Sequence, residues 1–191
     1  TVAAVGTVDY QMDNWGIDVT VTASQKGLMM PPGLGIVAAS EKALKIHQNC
    51  QMPKLYWDWN TRLEAEHYRK FCGTAPQLMV FGMREALDMI FEEGLENIYE
   101  RHRVLAQATH TAVEIWSQAG TMSLNAIEPK ERSTAVTTVL TKDGIDANMI
   151  RDVCRDEMMV GLGGGLGSLT GKAFRIGHMG DMNAPMLFAA L

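Results

Sequence analysis

The sequence predicts an α/β fold in which a larger domain is followed by a smaller α+β domain. Apolar and polar residues alternate from Ile17 to Thr22, which is the period of a half-buried strand. Two long segments, 74–94 and 95–118, carry apolar residues at three- and four-residue steps, the pattern of amphipathic helices. Residues 134–176 then read as strand, turn, helix and strand, and this order indicates a separate α+β unit.

Shorter elements are expected in the first domain. Thr1 to Gly6 reads as the end of a strand, and a second short strand is expected from Ile36 to Ala39. Ser40 precedes a helix expected from Glu41 to His47, because its hydroxyl can accept a hydrogen bond from a free N–H of the first turn. Residues 48–69 are rich in aromatic and charged side chains, and a loop followed by a helix is expected there.

The first long helix is expected to run from Thr74 to Gly94. Thr74 is a suitable cap residue, and Pro76 suits the first helical turn. A glycine after the last turn is a common stop signal of a helix. We therefore divide the chain into two domains, residues 1–95 and residues 96–191.

The composition argues against several classes of function. A net charge of −5 argues against a nucleic-acid-binding surface, which needs a basic face. The three cysteines lie far apart without a CxxC pair, which indicates reduced thiols rather than a disulfide framework or a zinc site. No apolar run reaches the roughly 18 residues that a membrane-spanning helix needs.

Lys26 is the first candidate for a chemical role. It stands where the strand that ends at Thr22 gives way to a turn rich in glycine and proline, before the chain becomes apolar again at Ile36. Lysine side chains are rarely buried without a partner. Two interpretations fit this pattern: a turn lysine that extends into solvent, or an amine that is consumed as a Schiff base. Spacing alone favours the solvent-exposed lysine.

The glycine run from Gly161 to Gly167 imitates two nucleotide-binding motifs. A dinucleotide-binding fingerprint needs a helix after the glycines, whereas here a strand is expected from Lys172 to Ile176. A P-loop fails because Leu166 replaces its first glycine and Ala173 replaces its serine or threonine. We interpret the run as a flexible loop before a strand, and not as a nucleotide site.

Arg175 and His178 follow in the segment FRIGHMG. An arginine in an apolar strand needs a partner, and its planar guanidinium suits a carboxylate. A structural salt bridge and a ligand clamp are equally compatible with the sequence. His178 reads as a structural histidine, and because the five histidines show no metal-ligand spacing, no metal site is assigned.

Six longer motifs stand in order along nearly the whole chain: VDYQMDNWGIDV, SQKGLMMPPGLG, YWDW, GTAP, REALDMIFEEGLENIYERH and GKAFRIGHMG. Together they resemble the serine–glyoxylate and alanine–glyoxylate group of the class V, fold-type I pyridoxal-phosphate aminotransferases. The resemblance implies an internal-to-C-terminal fragment, truncated at both ends. The fragment would comprise part of the large pyridoxal-phosphate domain, with its mostly parallel sheet and helices, and an incomplete small α+β domain.

The resemblance also implies roles for individual residues. Lys26 would bind pyridoxal 5′-phosphate as a Schiff base and act as general base, and Arg175 would bind the substrate carboxylate. Gln25 would lie beside the cofactor phosphate and Val2 against the pyridine ring. Thr74 would reach the phosphate in the neighbouring subunit. The family aspartate that pairs with the pyridine nitrogen is expected immediately before the first residue.

The implied activity is transamination between a small amino acid, with serine favoured, and a small oxoacid, with glyoxylate favoured. The alternatives are an alanine–glyoxylate, pyridoxamine–pyruvate or phosphonate-linked aminotransferase of the same family, or a catalytically incompetent fragment of such an enzyme. The expected assembly is a homodimer or higher homo-oligomer with the site at the subunit interface. The expected location is the cytoplasm, or the peroxisome in a eukaryote, and no nucleic-acid or membrane partner is expected.

Overall fold

The computed structural model describes residues 1–191, which form two compact units. The first unit contains Thr1–Val5 and Tyr10–Glu92, and the second contains Gly6–Asp9 and Glu93–Leu191. The division into two domains after residue 95 stays a prediction.

The first unit contains a β-hairpin and four helices. Its strands β1 (Val19–Ala23) and β2 (Gly35–Ala39) are antiparallel. Its helices are α1 (Glu41–Gln48), α2 (Trp59–Arg62), α3 (His67–Lys70) and α4 (Gln77–Glu93). The expected second strand and the expected helix after Ser40 are confirmed, and the Ser40 hydroxyl accepts a hydrogen bond from the Ala43 N–H at 3.1 Å.

The threonines, not the valines, occupy the buried face of β1. Thr20 and Thr22 are buried, whereas Val19 and Val21 are exposed. The period of two predicted for this strand is therefore confirmed, with the apolar residues on the open side. Thr20 is accommodated because its hydroxyl and that of Tyr10 lie 2.7 Å apart in a hydrogen bond.

The prediction of a strand at the start of the chain is wrong. Thr1 to Gly6 forms turns, in which the N–H groups of Ala4 and Val5 donate to the Thr1 carbonyl at 3.0 and 3.2 Å. These bonds satisfy the backbone locally, without a neighbouring strand.

The start of α4 also differs from the expectation, because Thr74 does not cap it. The helix begins at Gln77, and its first turn closes when the Val80 N–H donates to the Pro76 carbonyl at 3.0 Å. Proline disfavours the helical conformation of the residue before it, which disfavours a helix that includes Ala75 or Thr74. The expected stop at Gly94 is confirmed, with a φ of +86° that favours glycine.

The second unit contains a four-stranded antiparallel sheet with three helices. The sheet order is β3-β4-β6-β5, with every neighbouring pair antiparallel. The elements are α5 (Leu95–Ser117), β3 (Met122–Leu124), β4 (Val136–Thr141), α6 (Ala147–Met158), β5 (Gly163–Gly164), β6 (Ala173–Gly177) and α7 (Ala184–Ala190).

The core of the second unit lies between α5, α6 and the sheet. Val113 of α5, Val139 of β4, Ala147 of α6 and the β6 residues Phe174 and Ile176 form one buried cluster. The long helix and the strand–helix–strand order expected for this half are confirmed, because periodic apolar residues find one continuous apolar surface.

The predicted mixed α/β class is confirmed. Every strand pair of residues 1–191 is antiparallel, so the parallel strands expected for the large domain are not among the strands of this chain. None of the helices combines the length and the apolar character that crossing a membrane requires.

Candidate functional site

Lys26 lies in the loop that connects β1 to β2 in the first unit. The Lys26 side chain is half-buried, and its amine pairs with no carboxylate of this unit. The loop folds back on itself, because the Met29 N–H donates to the Lys26 carbonyl at 2.9 Å and the Met30 N–H to the Ser24 carbonyl at 3.0 Å. The lysine therefore stands on an ordered turn, in contrast to the solvent-exposed lysine that spacing alone favours.

The buried residue Ser24 connects the two ends of this loop through hydrogen bonds. Its side chain is fully buried, and its hydroxyl donates to the Pro31 carbonyl at 2.8 Å. The same oxygen accepts from the Leu34 N–H at 3.2 Å, while the Ser24 N–H donates to the Leu34 carbonyl at 3.1 Å. With the bond from the Met30 N–H to its carbonyl, Ser24 thus makes four hydrogen bonds that hold both ends of the lysine loop together.

Helix α4 packs closely against the same loop. A Cβ on Gly33 would lie 2.9 Å from the Met79 Cε, and a Cβ on Gly82 would lie 3.0 Å from the Met30 Cε. Each glycine therefore leaves room for a methionine from the opposite element. The loop that carries Lys26 rests on a helix, which limits its movement.

Thr22 carries a buried hydroxyl without a partner. Its Oγ1 is enclosed and makes no hydrogen bond, although it lies on the buried face of the strand that leads into the lysine loop. An unsatisfied buried hydroxyl costs about 1–3 kcal/mol. An unpaired amine and an unpaired hydroxyl on one strand and its loop fit a polar ligand, as pyridoxal 5′-phosphate would be.

The other residues expected to contact the cofactor also belong to the first unit. Gln25 precedes Lys26 in the same turn and is exposed. Val2 is 40% exposed, and the neighbouring Thr1 hydroxyl donates to the Val21 carbonyl at 2.9 Å, which ties this segment to β1. Thr74 is exposed ahead of α4.

Arg175 belongs to the second unit, on β6. It is paired with Thr138 of β4 on one side and with Gly163 of β5 on the other. Its Nε donates to the Gly164 carbonyl at 2.7 Å, and its side chain is half-buried. Its two Nη atoms make no hydrogen bond or ion pair within this unit, so the structure does not contain the salt bridge that was one alternative.

The glycine run is a packed part of the sheet and not the flexible loop expected from the sequence. Gly163 and Gly164 form β5, and a 3₁₀ turn follows at Gly167–Leu169. A Cβ on Gly165 would lie only 2.0 Å from the Leu169 carbonyl oxygen. Sequence reasoning missed this role, because a strand of glycines has no alternating side chains to reveal it.

His178 is buried and structural. Its Nε2 bonds to the Thr137 hydroxyl at 2.9 Å and its Nδ1 to the Thr134 carbonyl at 3.0 Å. Burial is the main reason why the pKa of His178 falls to about 4, and the nearby His110 and His102 lower it further. Both ring nitrogens are engaged, which supports the structural role expected for this residue.

Arg101 of α5 anchors the segment that follows β6. Its Nε and Nη2 donate to the two carboxylate oxygens of Glu93 at 2.7 and 2.8 Å. Its Nη1 donates to the carbonyls of Gly180 and Met182 at 2.8 and 2.9 Å. The adjacent His102 accepts a hydrogen bond from the Gly180 N–H at 3.1 Å. Sequence reasoning missed this anchor, because its partners are far apart along the chain.

Comparison with known proteins identifies relatives of the whole chain. The chain is 40% identical to the serine–glyoxylate aminotransferase of Arabidopsis thaliana and 38% identical to that of Methylorubrum extorquens, over its whole length. Its fold is similar to that of the alanine–glyoxylate aminotransferase of Nostoc sp., with a TM-score of 0.88, 31% identity and 99% of this chain covered.

The chain spans about half the length of these relatives, namely 47% and 48% of the two enzymes and 50% of the Nostoc protein. The sequence model of the family named Aminotransferase class-V matches residues 1–171. That match covers most of the chain, and the chain therefore belongs to the class V aminotransferases.

Proposed function

We propose that the protein is a pyridoxal 5′-phosphate-dependent aminotransferase, in which Lys26 holds the cofactor and Arg175 binds the substrate carboxylate. The observation that carries this proposal is the unpaired, half-buried Lys26 on an ordered loop of a class V chain. When bound, pyridoxal phosphate supplies the electron sink that makes the Cα proton of an amino acid removable.

Lys26 has two tasks under this proposal. Its amine would hold the cofactor covalently, and in its free form it would take up and return the substrate Cα proton as general base. Both tasks need an amine that is not locked in an ion pair, and no carboxylate of the first unit holds Nζ. Gln25, Val2 and Thr74 are the residues that we assign to cofactor contact, with Thr74 serving the neighbouring subunit.

The hydrogen bonding of Arg175 supports the proposed role as a carboxylate clamp. With Nε bound to the Gly164 carbonyl, the two Nη groups remain available as a planar fork. A fork of two parallel N–H groups binds a carboxylate bidentately, which fixes both the position and the orientation of the substrate. The α-carboxylate is common to amino acids and oxoacids, so one arginine serves both halves of a transamination.

Serine and glyoxylate are the favoured substrate pair. The two relatives with the higher identities are named for serine and glyoxylate, and the Nostoc protein is named for alanine and glyoxylate. Glyoxylate is therefore common to all three names, and the amino donor differs. The alternative activities are alanine–glyoxylate, pyridoxamine–pyruvate and phosphonate-linked transamination. A further alternative is that the chain is a catalytically incompetent fragment of such an enzyme.

A homodimer, or a higher homo-oligomer, is the assembly that we propose. On α4, Leu78 is 87% exposed and Phe81 is 70% exposed, three residues apart on one side of the helix. Large apolar side chains exposed together on a helix are typical of surfaces that bind another chain. Thr74 lies just ahead of this helix, which suits a residue that serves the site of a neighbouring subunit.

The test is cofactor attachment to the purified protein. Adding pyridoxal phosphate should give a yellow absorption band, and borohydride reduction followed by peptide mass spectrometry should find the cofactor on Lys26. Lys26→Ala should remove both signals, whereas Lys42→Ala, at an exposed lysine paired with Asp18, should keep them. If the wild type gives no band, this chain by itself is not a working aminotransferase; if Lys26→Ala keeps the band, the assignment of Lys26 fails.

A further inference from the structure

We infer that the glycine strand β5 is the positioning element of Arg175, and that Gly163 is needed so that the guanidinium can lie against this strand. The inference rests on the proposed role of Arg175 as the carboxylate clamp. It gives a function to the glycine run, which neither a nucleotide site nor a flexible loop explains.

One hydrogen bond fixes the guanidinium at its base. The Nε–H of Arg175 donates to the carbonyl of Gly164, at 2.7 Å. Of the five N–H donors of a guanidinium, this bond uses the one nearest the aliphatic stem and leaves the four Nη hydrogens. Because the group is planar, fixing Nε restricts the plane in which the Nη fork can present itself.

The missing side chain of Gly163 creates the space that Arg175 occupies. A Cβ at this position would lie 3.3 Å from the Arg175 Cβ and 3.4 Å from its Nε. The first distance is tighter than ordinary van der Waals contact and the second lies at its lower limit, so an added methyl group would press on the arginine stem and shift it by a few tenths of an ångström. The φ of Gly163 is not in the left-handed region, so the neighbouring arginine explains the glycine and backbone conformation does not.

β5 cannot easily move aside, because its opposite face is also occupied. A Cβ on Gly164 would lie 3.0 Å from the Nη1 of Arg151 on α6, and the Arg151 Nε donates to the Leu162 carbonyl at 3.1 Å. Directly after β5, the Gly165 N–H donates a hydrogen bond to the Ala173 carbonyl of β6 at 2.9 Å. The glycine strand thus lies between two arginine side chains, and the Nε end of Arg175 is the part of this contact that can turn away from a methyl group at Gly163.

The consequence is a clamp that is oriented before substrate arrives. A free arginine side chain must lose rotamer freedom when it binds a carboxylate, and this lost entropy weakens binding. A stem held by β5 has already lost much of that freedom on folding. Gly163 is therefore a positioning residue that acts on the substrate carboxylate only through Arg175.

The experiment compares Gly163→Ala with Gly161→Ala in the same run, where an added Cβ meets no atom within 4 Å. Gly163→Ala should raise the KM for the amino acid and for the oxoacid about tenfold. Cofactor uptake and Tm should stay close to the wild-type values, and Gly161→Ala should change none of these quantities. An unchanged KM in Gly163→Ala would overturn the inference, and so would a loss of Tm of more than a few degrees, because that would indicate a structural role.

A double-mutant cycle tests whether Gly163 acts through Arg175. Once Arg175→Ala has raised KM, adding Gly163→Ala should raise it no further. A further tenfold rise in the double variant would overturn the inference. The proposed function fails separately: if Arg175→Ala leaves KM unchanged, Arg175 is not the clamp, whereas if it raises KM and Gly163→Ala does not, only the positioning role is refuted.

Discussion

Replacing Gly165 by alanine is the sharpest test of how tightly the glycine run is packed. The new Cβ would lie 2.0 Å from the Leu169 carbonyl oxygen, 2.7 Å from the Leu169 carbonyl carbon and 3.1 Å from the Ala173 carbonyl oxygen. All three are backbone atoms. They cannot swing away as a side chain can, because Leu169 accepts a hydrogen bond from the Lys172 N–H at 3.0 Å and Ala173 begins β6.

The size of the effect follows from this overlap. A carbon and an oxygen in contact are normally about 3.5 Å apart, so the backbone would have to move by more than an ångström. Overpacking typically costs about 1–3 kcal/mol, and a clash with backbone belongs at the upper end. For a chain of this size, about 3 kcal/mol lowers Tm by about 6–12 °C.

The assay is thermal unfolding followed by circular dichroism, on Gly165→Ala and two control variants. Gly161→Ala meets no atom within 4 Å and should match the wild type. Gly167→Ala also has open space but a φ of +56°, so it should cost about 1–2 kcal/mol through backbone strain alone. A Gly165→Ala protein that unfolds within about 2 °C of the wild type would refute the close packing of this turn.

Three further predictions concern buried polar groups. Thr22→Val should stabilise the cofactor-free protein by about 1 kcal/mol in urea denaturation, because it removes an unsatisfied hydroxyl; a loss of stability would reveal an existing partner. Burial lowers the pKa of His178 to about 4, below its ordinary value of 6.5, so the unfolded state binds a proton first as the pH falls. Stability should therefore drop by about 3 kcal/mol between pH 6.5 and pH 4, in urea denaturation repeated across that range, and a flat profile would contradict this. Arg101→Ala should lower the free energy of unfolding by about 2 kcal/mol in the same assay, because Glu93 and the Gly180 carbonyl lose their donor. Its control is Arg103→Ala, at an exposed ion pair, which should change the free energy of unfolding by less than about 1 kcal/mol. Equal losses in the two arginine variants would argue against the Arg101 anchor.

The elements that could be predicted are those with a local signal. Helix α5 carries apolar residues on one face along its whole length. The Ser40 hydroxyl accepts a hydrogen bond from the first turn of α1, which follows Ser40 directly in the chain. The apolar segment that begins at Thr1 was misjudged, because strands and turns of small apolar residues look alike until their hydrogen-bond partners are known. Strand β5 was missed for a related reason: it exists only through its pairing with β6.

The residues of the candidate site also differ in whether the sequence could predict their roles. Spacing alone favoured a solvent-exposed turn lysine at Lys26, and the resemblance to a family singled it out instead. The availability of the Arg175 fork could not be read from the sequence, because it depends on a carbonyl eleven positions earlier, at Gly164. The unpaired hydroxyl of Thr22 depends on what surrounds it in three dimensions.

The hydrogen bonds of Ser24 affect how fast the Lys26 amine can move, in addition to the shape of the loop that carries it. Loop movements take nanoseconds to microseconds, whereas side-chain rotamer changes take picoseconds to nanoseconds. With both ends of its loop held by one buried serine, turning its own four-carbon side chain is the movement of the Lys26 amine that breaks none of these hydrogen bonds. In the role that we propose for Lys26, an amine that first holds a cofactor and then carries a proton would change position at the speed of a rotamer, without waiting for the backbone.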